Sequence, residues 1–119
     1  MSTTIARTGT MHLEKECSEY TGAAGSFCTI VSSDLDAIPT GSKVIYREAA
    51  TASGGLDSDI SVETPDGDVA NGHVVLDGAT QTGTVTLRGG SGAFATLTAD
   101  LEVAQVTGPT YRWDGRFST

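Results

Sequence analysis

Apolar and polar residues alternate with a period of two over most of this chain. No window of eleven or more residues keeps an apolar stripe at i, i+3, i+4 and i+7 without Gly, Pro or Thr clusters interrupting it. β-Branched residues are frequent and turn residues return at short intervals, which is the signature of an all-β sandwich or barrel. The pattern predicts strands over 10–17, 26–32, 42–49, 56–64, 68–77, 83–89, 94–105 and 110–118, after a polar arm over 1–8. A Gly-rich turn separates the first two strands at 21–25. The segment 33–41 reads as a loop with one helical turn capped by Ser33. The strongest turn is Thr64-Pro65-Asp66-Gly67-Asp68, where proline presets one dihedral and glycine accepts a positive one. Residues 72–78 and 83–89 share the pattern G-x-V-x-L-x-G at an offset of eleven, which reads as two arms of one hairpin.

Eight strands with short connections close on themselves, and closure removes the exposed edges that invite aggregation. The expected fold is therefore one all-β domain over 9–119, an antiparallel barrel of about eight strands with a small apolar lumen. Alternation assigns an inward face to most strands: Met11, Leu13, Lys15 and Cys17; Val44, Tyr46 and Glu48; Leu56, Ser58, Ile60 and Val62; Val74 and Leu76; Val85 and Leu87; Leu97, Ala99, Leu101 and Val103; Tyr111, Trp113 and Phe117. The second strand resists this scheme. Phe27, Thr29 and Val31 form one phase and Cys28 and Ile30 the other, and a bulge would reconcile them.

The inward phase is thus mostly aliphatic with a few polar groups, the composition of a ligand pocket or of a tapered barrel filled by aromatic side chains. Glu48 is the candidate acid or base, because a carboxyl group buried among Val44, Ile60 and Trp113 would have its pKa raised by desolvation; the alternative is an exposed carboxylate at a strand end, paired with Arg47 or Lys43. Tyr46 is the candidate hydrogen-bond donor to a developing oxyanion. Tyr111 and Trp113 are expected to wall and position a substrate, with Ser58 and Phe27 as further contacts. His12 and His73 fall in the outward phase and read as surface residues.

The stretch 86–95 (TLRGGSGAFA), followed by 98–103 (TADLEV) and the aromatic strand 111–117, resembles the allene oxide cyclase barrel superfamily, which includes dirigent and spirotetronate-type cyclase barrels. The resemblance covers roughly the last half of the chain. It implies an eight-stranded barrel whose apolar lumen folds a flexible substrate into one reactive conformer, with one or two polar groups steering charge. It carries no catalytic residue over to a defined position here. The expected activity is a cofactor-independent isomerase or cyclase acting on a mostly apolar small molecule. The alternative is a non-catalytic exported barrel that binds a small apolar ligand or a partner protein.

Composition narrows the partners. The 15 acidic residues against 7 basic ones give a net charge of -8, which disfavours nucleic acid and an anionic membrane surface. No apolar run is long enough for a transmembrane helix. No zinc spacing is present, and an EF-hand loop from Asp66 fails because Asn71 stands where glycine is needed. Neither metal nor cofactor is expected. Cys17 and Cys28 form either the disulfide of an exported protein or two reduced thiols of a cytosolic one. Outward Ile45 and Val75 leave open a homodimer or homotrimer.

Overall fold

The structure, a computed structural model, describes residues 8–119. All of the predicted arm but Thr8 lies outside the described residues. Eight strands form one closed barrel: β1 Thr8–Glu16, β2 Phe27–Ser33, β3 Lys43–Tyr46, β4 Leu56–Glu63, β5 Val69–Asp77, β6 Thr82–Gly90, β7 Thr98–Thr107 and β8 Thr110–Ser118. Each pairs antiparallel with the next, and β8 returns onto β1 in unbroken register from Thr8↔Ser118 to Glu16↔Thr110.

The period-two pattern sets which side chains fill the barrel. Met11, Leu13, Val44, Ile60, Val62, Val74, Val85, Leu87, Leu101, Val103 and Trp113 are all buried, each from the expected phase of its strand. In β2 the inward phase is Cys28 and Ile30. The register against β1 jumps from Glu14↔Ser32 to Lys15↔Ile30, so Val31 is an extra, exposed residue. This bulge is what sets Cys28 on the same side as Cys17. Phe27 consequently points outward and lies half-buried under Lys43, whose Nζ sits 4.7 Å from its ring centroid.

Two expected strands are shorter than predicted. β3 stops at Tyr46 because the N–H of Glu48 bonds the side chain of Ser58 (3.1 Å) instead of a ladder carbonyl. Alternation ends there, so Glu48 does not turn inward. β7 begins only at Thr98, because Gly92–Phe94 form a turn of 3₁₀ helix in which Phe94 and, three residues on, Leu97 are both buried. Gly89, Gly90 and Gly92 leading into it have φ of +74°, +152° and +55°, values that favour glycine. The loop after β2 is a turn rather than a helical one, held by Leu35 N–H to Ser33 Oγ (3.1 Å) and Ile38 N–H to the Leu35 carbonyl (3.0 Å).

The up-and-down order puts alternate connections at opposite ends. At one end the β2–β3 loop buries Ile38 and the β6–β7 connection buries Phe94 and Leu97. At the other lie the β1–β2 and β3–β4 loops and the short β5–β6 and β7–β8 turns.

Candidate functional site

Lys15 ends the inward run Met11, Leu13, Lys15 of β1, and only 4% of its surface is exposed. Its register partner on β8 is Tyr111. Its Nζ donates a hydrogen bond to the Tyr46 hydroxyl. The same nitrogen lies 5.0 Å from the ring centroids of Tyr46 and Trp113 and 5.5 Å from that of Tyr111. Burial pushes the Lys15 amine down to about 7, because an ammonium loses its hydration in an apolar surrounding. The negative faces of the three rings oppose that loss, so both protonation states are within reach near neutral pH.

Above this amine is a cavity of about 180 Å³. Apolar walls come from Leu56 on β4, Val74 and Leu76 on β5 and Val103 on β7, and the rim includes the exposed Gly54 and Pro109. The polar groups are Lys15, Tyr20, Tyr46, Gln81 and Tyr111, and among the described residues no carboxylate lines the cavity. A disulfide between Cys17 and Cys28 forms part of the wall, with a Cα–Cα distance of 4.3 Å. It ties the end of β1 to the start of β2 and so fixes the loop that carries Tyr20.

That loop is held over the cavity by backbone bonds. Tyr46 N–H donates to the Ser26 carbonyl (3.0 Å), Gly25 N–H to the Tyr46 carbonyl (2.7 Å), and Ala50 N–H to the Gly22 carbonyl (2.8 Å). The Tyr20 ring meets that of Tyr46 edge-on at 5.0 Å. Its hydroxyl is buried and has no hydrogen-bond partner among the described residues. Burial raises the hydroxyl pKa of Tyr20, Tyr46 and Tyr111, furthest for Tyr46, so all three remain protonated donors at neutral pH. The Tyr111 hydroxyl donates to Gln81 Oε1 at 2.7 Å. Gln81, with φ of +56°, has the one left-handed non-glycine backbone among the described residues.

Of the residues singled out from sequence, Tyr46 and Tyr111 line the cavity and Trp113 lies beside the Lys15 amine. Glu48 must be corrected: it is exposed, and its carboxylate accepts from Asp59 N–H and lies 3.0 Å from Ser58 Oγ, latching the loop after β3 onto β4. Ser58 is fully buried, but its hydroxyl serves that latch and does not line the cavity. Phe27 lies on the outer face. Alternation alone places Lys15 inside the barrel, but with Glu48 also expected inside it does not single out the lysine. Nothing in the pattern marked Tyr20, which sits in a loop, or Gln81, which sits in a turn.

The histidines are surface groups as expected. His73 bridges Asp57 (2.6 Å) and Asp59 (2.9 Å) of the neighbouring strand, and His12 meets Asp114 (2.7 Å). Hydrogen bonds to these carboxylates raise both imidazole pKa values.

Set against family models, curated proteins and solved structures, the chain finds no match. No helix among the described residues is long and apolar enough to cross a membrane.

Proposed function

We propose that this chain is a cofactor-independent enzyme of the isomerase or cyclase class, acting on one compact, mostly apolar molecule at the cavity end of the barrel. Lys15 carries this reading. Lysines are almost never fully buried unless paired, and desolvating a charge is costly. A barrel that only enclosed an apolar ligand would gain nothing from that cost. An amine brought to about 7 is shared between its acid and base forms near neutral pH, the condition that favours general acid–base catalysis. Tyr46, always protonated there, supplies a hydrogen bond to negative charge as it develops. Tyr20, Tyr111 and the aliphatic wall restrict the conformers a flexible substrate adopts. Lys15 thus takes the role that the sequence suggested for Glu48.

The resemblance of the region from β6 to β8 to allene oxide cyclase-type barrels supports the same reading. The cavity limits the substrate. An apolar cavity of about 150 Å³ holds benzene, so about 180 Å³ accepts a substituted ring or the reacting part of a longer molecule.

The second reading, a non-catalytic barrel that binds a small apolar ligand, is favoured by the disulfide that rigidifies the cavity wall. Proton NMR in deuterated buffer, with compact ketones, epoxides and cyclisable alkenes as substrates, separates the two. The expected result is turnover, or deuterium uptake from solvent, that Lys15→Met abolishes. Binding without turnover would replace the first reading by the second, and no binding at all would overturn both.

A further inference from the structure

We infer that Lys15 is a nucleophile that condenses with a small apolar aldehyde or ketone, making the cavity a carbonyl site in which the substrate is held as an imine. This inference rests on the reading of the cavity as a small-molecule site and names its substrate class.

Two independent features meet there. The first is the amine: 4% exposed, bordered by three aromatic rings, hydrogen-bonded to a phenol and lining the cavity. Among the described residues, no carboxylate lines the cavity to hold it as an ion pair. The second is the Tyr20 hydroxyl, a buried donor without an acceptor, on a ring packed against that of Tyr46. The Tyr20 side chain lines the cavity, so a ligand with an acceptor oxygen there would give the hydroxyl a partner. A carbonyl compound answers both features, since its oxygen accepts a hydrogen bond while its carbon accepts a lone pair.

The chemistry balances without any co-reactant. The unprotonated amine adds through its lone pair to the carbonyl carbon, forming the C–N bond. The carbonyl oxygen takes up a proton and becomes the carbinolamine hydroxyl. That C–O bond then breaks as the nitrogen lone pair forms C=N. Both amine protons leave with the oxygen as one water, and the phenols of Tyr20 and Tyr46 only relay them. Nothing is oxidised or reduced. Desolvated lysines in apolar pockets are suited to this role. Among the described residues, Tyr20, Tyr46 and Tyr111 are the only titratable groups besides Lys15 that line the cavity, while β4, β5 and β7 line it with apolar side chains. The lowered amine pKa adds to the geometry. About half of an amine of pKa about 7 is unprotonated at pH 7, against less than about 0.1% of a lysine in water.

The chain supplies its own control, because Lys43 is its one other lysine and is exposed on the outer surface. The native, disulfide-bonded protein is treated at pH 7 with benzaldehyde and cyanoborohydride, and benzylation is mapped by mass spectrometry. Lys15 is expected to be benzylated at least about tenfold faster than Lys43, and Lys15→Met is expected to lose that label while remaining folded. Binding of toluene and benzyl alcohol, followed by NMR, is measured in parallel. Benzyl alcohol binding without preferential benzylation of Lys15 would overturn the imine and leave the small-molecule site standing. Neither binding nor benzylation would overturn both. Equal labelling of the two lysines would also overturn the imine, since the pocket would then confer no reactivity.

Discussion

At one end of the barrel Ile38, Phe94 and Leu97 fold in from the connections and fill the lumen with apolar side chains. At the other, the inward positions are taken by Lys15, Tyr46 and Tyr111, and a cavity remains. The two ends share strands, alternation and fold, and differ in what the sequence places at the last inward position and in the loops. The filled end gains packing and hydrophobic burial. The cavity end gives up both and keeps a desolvated amine, with a disulfide to hold its wall. Close packing and the candidate site are thus separated along the barrel axis.

Truncation at the filled end should have the largest effect. Phe94→Ala removes a fully buried ring and is expected to cost about 3–5 kcal/mol, measured by urea denaturation, while ligand binding at the opposite end persists in the folded fraction. Loss of binding with no loss of stability would break the separation of roles.

At the cavity end the disulfide ties β1 to β2. Replacing Cys17 and Cys28 together by Ala is expected to cost about 2–4 kcal/mol and to loosen the loop that carries Tyr20. Hydrogen exchange should show lost protection at Gly25 and Tyr46, whose amides anchor that loop and strand, before any loss near Phe94.

Lys15→Met should move stability the other way. Replacing a buried charge by an apolar side chain of similar length is expected to stabilise by about 1–4 kcal/mol at pH 7. The pH dependence follows from the lowered amine pKa. The unfolded chain holds the Lys15 proton up to the ordinary lysine range, about 10, and the folded chain only up to about 7. The destabilisation is therefore complete below pH 7 and fades as pH rises from 7 towards 10, because there the unfolded state binds more protons. Over that window the wild type should gain on the variant, and the two denaturation midpoints should converge.

The smallest effect is expected outside the lumen. Glu48→Gln keeps an acceptor for Asp59 N–H and should change stability by less than about 1 kcal/mol. It should leave both ligand binding and turnover unchanged. An activity loss there would return the acid–base role to Glu48.

Regular pairing was legible in the sequence because alternation repeats over many residues. β8 runs over the predicted 110–118, and β4 starts at the predicted Leu56. What escaped were single-residue departures from alternation. Val31 is one extra residue in β2, and it decides that Cys28 faces inward and Phe27 outward. Ser58 captures one amide of the chain beyond β3, and that decides that Glu48 stays in water. Phe94 and Leu97 are both buried at a spacing of three, which belongs to a tight turn and not to a strand. The candidate site was half legible: the inward aromatics followed from period two, whereas Tyr20 reaches the cavity through a loop that has no period.

The barrel is expected to hold a lysine whose proton is labile near neutral pH. With two lysines in the chain, labelling them at the ε-position gives two NMR signals, and Lys15→Met assigns them. The Lys15 signal is expected to titrate near pH 7, with its midpoint shifting when Tyr46 is replaced by Phe. Both signals holding their charge to the ordinary lysine range, about 10, would contradict it.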